Sequence, residues 1–164
     1  MVYVVMGVSG CGKTTIGKML GEVKNLPFYD ADDFHPDENV EKMRNGIPLD
    51  DQDRLPWLTI LAQNISEWNR SGGAVLACSA LKQNYRDILT STSGDRDVQF
   101  IYLKGSKELI SGRLKKRSGH YMPADLLDSQ FNDLEEPEDA ATVSVSADPG
   151  TILKEILNKT DREA

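Results

Sequence analysis

Cysteine is nearly missing from this chain of 164 residues. Cys11 and Cys78 are the only two, which is no disulfide framework, and both read as reduced thiols of a cytoplasmic protein. Long apolar runs are missing too. The run from Val2 to Met6 is too short for the apolar centre of a secretory leader and has no basic flank. Nothing approaches the roughly 20 apolar residues that span a bilayer. Positive charge is in deficit, with 19 Lys and Arg against 26 Asp and Glu and a net charge of −7. Nucleic acid and anionic membrane surfaces bind through excess positive charge, so neither is expected as a partner. A local basic pocket for an anionic metabolite survives that argument. No repeat, low-complexity segment or Gly/Ser-rich linker divides the chain, and its length fits one domain, 1–164.

What is present alternates. Val2–Met6, Phe28–Ala31, Ala74–Ser79, Gln99–Leu103 and Thr142–Ser146 read as short strands. Between them lie helical patterns. Ile16, Met19, Leu20 and Val23 share one face, and Trp57, Leu61, Ile65 and Trp68 form a stripe that Pro56 can begin. Further helices are predicted at 83–90, 107–117, 124–134 and 152–159. Strands alternating with helices build a parallel sheet through right-handed crossovers, which predicts a three-layer α/β domain. Ligands in such sheets bind beyond the carboxyl ends of the strands.

Residues 7 to 14 read Gly-Val-Ser-Gly-Cys-Gly-Lys-Thr, a full match to the phosphate-loop pattern G-x-x-x-x-G-K-[ST]. Gly7, Gly10 and Gly12 permit backbone turns that let successive N–H groups, including those of Val8, Ser9 and Cys11, point inward at phosphate. The loop opens a helix, whose positive end faces the same anion. Lys13 reaches the outer phosphates, the Thr14 hydroxyl is placed for Mg²⁺, and Thr15 closes the loop. Cys11, at a helix N-terminus among inward N–H groups, is expected to have a lowered thiol pKa.

A phosphate loop implies a nucleotide and leaves the chemistry open. Asn158-Lys159-Thr160-Asp161 has the letters of a guanine-reading motif, but it ends a helical pattern and no D-x-x-G occurs in the chain. A motor ATPase would place an acid at the end of a buried strand, and Ala74–Ser79 ends without one. The acids come after the second strand instead, as Asp30, Asp32 and Asp33. Strand alternation would set Asp30 and Asp32 on one side. Phosphoryl transfer to an alcohol uses one acid on the metal and one to accept the hydroxyl proton. Asp30, nearer the loop, suits Mg²⁺ and Asp32 suits the base, although the residues leave the reverse assignment open. The only two histidines, His35 and His120, both stand beside charged motifs.

At this point a family becomes visible. Residues 29–36 (Tyr-Asp-Ala-Asp-Asp-Phe-His-Pro), Asn39 with Lys42-Met43, residues 46–58 (Gly-Ile-Pro-Leu-Asp-Asp-Gln-Asp-Arg-Leu-Pro-Trp-Leu) and residues 77–82 (Ala-Cys-Ser-Ala-Leu-Lys) with Tyr85-Arg86-Asp87 resemble the gluconate kinases. So do residues 100–105, Arg113 to Arg117 with His120, and Leu127 through Gln130-Phe131 to Pro137. The resemblance covers residues 2 to 157 and implies a nucleoside-monophosphate-kinase-like or shikimate-kinase-like fold. That means five parallel strands and a lid at about 113–137. It further implies ATP and Mg²⁺ as cofactors, D-gluconate as acceptor, 6-phosphogluconate as product, and a homodimer. Cys11 departs from the Ser often found in the loop, at a position that should contribute mainly backbone. In such lids Arg113 and Arg117 close over ATP. An anionic polyol also suits the cations Arg54, Lys82 and Arg86, with Arg54 able to grip a carboxylate bidentately and Lys82 and Arg86 on one helical face. His35 and His120 complete the expected acceptor side. A kinase for another small hydroxy acid such as shikimate, and a nucleotide-binding switch without chemistry, stay open as alternatives.

Overall fold

A computed structural model describes residues 1–94, 97–116 and 124–161. Five strands form one parallel sheet: β1 (Val2–Met6), β2 (Phe28–Asp30), β3 (Ala74–Ala77), β4 (Val98–Lys104) and β5 (Ala141–Ser144), in the order β2-β3-β1-β4-β5. The five-stranded parallel sheet expected from the sequence is present, with strand ends shifted by one or two residues. β1 is central, and Val2 stands in register with Ala74 on one side and Val98 on the other.

Alternation along β1 divides the core in two. Val2, Val4 and Met6 face one side with Leu76, where they pack against Trp57, Leu58, Leu61 and Ile65 of α3 (Asp51–Arg70) and Tyr85 and Leu89 of α4 (Gln83–Leu89). Val5 faces the other side with Val75 and Ile101. It meets Ile16 and Leu20 of α1 (Lys13–Lys24), Ile110 of α5 (Lys107–Lys116), and Ile152 and Ile156 of α7 (Pro149–Asp161). These are the three expected layers. Strands buried on both faces need apolar residues at every position, which is why β1 and β3 read as unbroken apolar runs.

Two elements depart from expectation. Helix α3 starts five residues before Pro56, because Asp50 and Asp53 form a reciprocal cap: the Asp53 N–H donates to Asp50 Oδ1 at 2.8 Å and the Asp50 N–H to Asp53 Oδ2 at 3.0 Å. Pro56 therefore lies inside the helix and removes one bond to the carbonyl of Gln52, where both residues are exposed and solvent can serve the carbonyl. Helix α2 (Asp37–Arg44) carries no apolar stripe. It is organised by charge, with Asp37 and Glu38 in its first turn and Lys42 and Arg44 in its last. The remaining helix, α6 (Ala124–Asp133), lies in the region expected to form the lid. No helix among the described residues is long and apolar enough to cross a membrane.

Candidate active site

The end of β1, the 7–14 loop and the start of α1 form the strand–loop–helix unit that the motif requires. Gly7 has φ +148°, and a Cβ there would stand 2.9 Å from the Leu103 carbonyl oxygen, so the chain can leave β1 this way only without a side chain. Gly12 opens α1 in the left-handed region at φ +99°. Lys13 folds back over the loop, its Nζ donating to the carbonyls of Gly7 and Val8 at 3.0 and 3.1 Å. Thr14 and Thr15 are exposed on the first turn of α1.

One contact in the loop was not foreseen. Gln130 of α6 accepts from the Ser9 N–H through Oε1 at 2.7 Å and donates from Nε2 to Ser9 Oγ at 3.0 Å. A side-chain amide from the lid region thus occupies a backbone donor of the phosphate loop. Cys11 also corrects its expectation. The residue is 2 % exposed, and burial pushes its thiol pKa up against the opposing pull of Lys13 and the local N–H groups. Packing overrides the helix end there.

Beside the loop opens a cavity of about 380 Å³ lined by Gly12, Thr15, Arg113, Lys116, Asp148 and Pro149, among others. Arg113 and Lys116 both bring positive charge to it. The turn between β5 and α7 was missed. It follows the carboxyl end of a strand, and Asp148 caps α7 by accepting from the Thr151 N–H at 2.8 Å. Arg117 and His120 lie outside the described residues.

The acids sit at the end of β2, but not through strand alternation. β2 stops at Asp30 and the chain enters a 3₁₀ turn at 31–34, with Asp30 Oδ1 accepting from the Asp32 N–H at 3.0 Å. Asp30 thereby holds Asp32 in place. The Asp32 side chain is open to solvent, 84 % exposed, yet the surrounding protein and the charges of Asp30 and Asp33 raise its pKa, while Lys13 pulls it down. His35 ends the turn with its side chain 4 % exposed and its Nε2 3.9 Å from Asp32 Oδ1. Its ring stacks on Trp57 with centroids 4.3 Å apart and planes 15° from parallel, and Trp57 Nε1 donates to the Ala31 carbonyl at 2.8 Å. Burial, then the charge of Arg54, lowers the His35 pKa.

A second cavity, about 470 Å³, is lined by Leu49, Asp50, Asp51, Gln52, Arg54, Lys82 and Asp133. Arg54 and Lys82 therefore share one site, as expected. Arg54 Nη1 donates to the Tyr85 hydroxyl at 3.1 Å, and Lys82 Nζ to Asp51 Oδ1 at 3.2 Å. The Tyr85 hydroxyl donates to Asp51 as well, and these donors, Tyr85 first, hold the Asp51 pKa below the usual carboxylate range. Asp51 and Tyr85 went unrecognised because their partnership spans 34 residues.

Arg86 does not join them. It is 3 % exposed; Nη1 donates to the carbonyls of Ala80 and Leu81 at 2.6 and 3.2 Å, and Nη2 to Gln83 Oε1 and the Glu135 carbonyl at 3.1 and 2.7 Å. Both terminal nitrogens are spent on the protein. The shared helical face expected for Lys82 and Arg86 fails because Lys82 is the N-cap of α4 with extended backbone, not a residue of its first turn.

The arrangement sets a phosphate loop, an acid and a polar pocket with two cations and three carboxylates around one end of the sheet, which suits phosphoryl transfer to an alcohol. Comparison with known proteins agrees. The family model for shikimate kinase matches residues 9–157. The chain is 44 % identical over 180 residues to a probable gluconokinase of Xenopus tropicalis, covering 99 % of this chain and 95 % of that one. It is 44 % identical over 170 residues to a gluconokinase of Arabidopsis thaliana, covering 95 % and 90 %. The crystal structure of a gluconokinase from Sinorhizobium meliloti 1021 superposes with a TM-score of 0.91 at 38 % identity, over 99 % of this chain and 93 % of that one.

Proposed function

This chain belongs to the gluconokinase family, and on that premise we propose how its residues carry the reaction of a gluconokinase, transfer of the γ-phosphoryl group of ATP to D-gluconate to give 6-phospho-D-gluconate and ADP. The observation that carries the reading is the placement of the phosphate loop after β1 and the Asp30–Asp32 turn after β2 at the same end of the parallel sheet, with His35 beside Asp32.

ATP lies along loop 7–15, its phosphates on backbone N–H groups of the loop, that of Ser9 once Gln130 has released it and that of Cys11 once it has left the Val8 carbonyl, with Lys13 neutralising charge that grows on the moving phosphoryl group. Arg113 faces the nucleotide from the adjoining cavity, and Arg117, outside the described residues, is the second cation assigned to the phosphates. Thr14 and Asp30 offer hydroxyl and carboxylate oxygens, the hard donors that suit Mg²⁺. When bound, that ion screens the charge of the outer phosphates.

Gluconate lies across Asp32, His35 and the Arg54–Lys82 pocket, and His120, outside the described residues, is a further group assigned to the acceptor. Its carboxylate is seated by Arg54 and Lys82, both of which pair with Asp51 in the structure. Asp32 takes the proton of the terminal hydroxyl as the oxygen attacks. A raised pKa suits this task, because it makes the carboxylate a stronger base. The protein works as a cytoplasmic homodimer, in keeping with the family resemblance.

ADP release with a panel of acceptors tests the reading. Gluconate should turn over far better than glucose, which lacks the anion that Arg54 and Lys82 are placed to meet. Turnover of shikimate with none of gluconate would overturn the assignment.

A further inference from the structure

His35 has two ring nitrogens, and only one tautomer fits its surroundings. Asn39 of α2 is 3 % exposed. Its Nδ2 lies 2.9 Å from the Asp53 carbonyl oxygen and 3.2 Å from His35 Nδ1. A backbone carbonyl can only accept, so the amide atom facing it must be the nitrogen. That nitrogen carries two hydrogens, and with one on Asp53 the other points to His35 Nδ1. Nδ1 must then hold a lone pair, which leaves the proton of the neutral ring on Nε2.

We propose that Asn39 is a positioning residue that fixes His35 as the Nε2–H tautomer and so presents a neutral hydrogen-bond donor to a hydroxyl of the acceptor beside Asp32. Stacking on Trp57, itself tied to the Ala31 carbonyl, resists rotation of the ring. Asn39 sets which edge is the donor. Nε2 faces Asp32 at 3.9 Å, too long for a direct hydrogen bond and suited to grouping both side chains around a third oxygen. Asp32 and Arg54 are the charged neighbours, of opposite sign, and Arg54 with burial keeps the ring neutral.

The role matters for an acceptor built of hydroxyls. Asp32 can only accept from a substrate hydroxyl, whereas Nε2–H can only donate, so the pair reads a hydroxyl from both sides. Were the proton on Nδ1, both would accept, and one would lose its partner.

The claim about the substrate rests on the proposed function; the tautomer does not. Nitrogen NMR of ¹⁵N-histidine-labelled protein at neutral pH separates the two. The chain has only two histidines, and His35→Gln identifies the relevant signals. The expected result is a proton-bearing Nε2 and a lone-pair Nδ1 for His35. A protonated Nδ1 in the wild-type protein overturns the proposal without any Asn39 variant. Asn39→Ala should release the ring to a tautomer mixture. It should also raise KM for gluconate by about 3- to 10-fold, the worth of one neutral hydrogen bond, with KM for Mg·ATP within about twofold. An unchanged His35 spectrum in that variant, or equal effects on both Michaelis constants, would also sink it.

Discussion

Replacing Arg86 with methionine keeps most of the aliphatic stem and removes the guanidinium, which separates a structural duty from a ligand-binding one. Four hydrogen bonds go with it. The carbonyls left behind on Ala80 and Leu81 belong to buried residues, 3 % and 7 % exposed. Each bond to a charged donor is worth about 1.5–3 kcal/mol, and a stranded buried carbonyl costs about 1–3 kcal/mol, terms that overlap and do not add. Ala80 also sits at φ +46°, a left-handed conformation that costs a non-glycine residue about 1–2 kcal/mol. The Arg86 bond to its carbonyl helps to hold it there. A total loss of about 3–5 kcal/mol follows, large among single substitutions. In a chain of this length each kcal/mol moves Tm by about 2–4 °C, so a drop of roughly 10 °C is expected in a thermal melt followed by circular dichroism. Below its transition the variant should keep a gluconate KM within a few-fold of wild type. A melt within 2 °C of wild type, together with a tenfold rise in gluconate KM, would show that Arg86 grips the acceptor and that its four protein bonds are incidental.

Asp32→Asn should lower kcat by about 10²–10⁴-fold, the usual worth of general-base assistance, and should remove an acid limb of the rate profile that lies above the ordinary carboxylate pKa of about 3.9. An acid with a raised pKa binds protons more tightly when folded, so it costs stability as pH rises through that window; the variant should melt no lower than wild type at pH 7, and a lower Tm would contradict the raised pKa. Cys11, buried and with its thiol pKa pushed up, should alkylate slowly in the folded protein with or without nucleotide, and Cys78, pushed up to about 12, more slowly still. Fast stoichiometric labelling of native Cys11 would show that the loop is open. Gln130→Ala frees the Ser9 N–H, so calorimetry should find ATP binding tightened by about 2- to 10-fold; weaker binding would instead make Gln130 a ligand of the bound nucleotide.

What could be read from the sequence was contiguous. The phosphate loop declares itself because eight neighbouring residues do one job, and β1 and β3 because burial on both faces demands unbroken apolar runs. Asp30 and Asp32 were placed correctly at the end of a strand and given a faulty geometry, since the strand ends at Asp30 and a 3₁₀ turn begins. Helix α2 escaped notice because charge and a preceding proline organise it instead of apolar spacing. Arg86 shows the limit most clearly. Its charge and its place after β3 looked like those of a ligand-binding residue, and only distant Glu135 reveals that it fastens chain to chain. Asp51 with Tyr85, and Gln130 with Ser9, are likewise partnerships between remote segments, which local pattern does not encode.

The central place of β1 also governs how the chain is made. The strand that leads this sheet in chain order is flanked by β3 and β4, so its neighbours are synthesised long after it. At about 5–20 residues per second, β1 waits roughly 5–20 s before Val98 emerges to complete its second edge. During that interval an apolar strand has an open side, the kind of segment that chaperones shield and that neighbouring nascent chains can capture. The nucleotide loop hangs from this same strand. ATP can therefore act as a folding ligand only after β3 and β4 have been added, when it favours the flanked strand over the shorter intermediates.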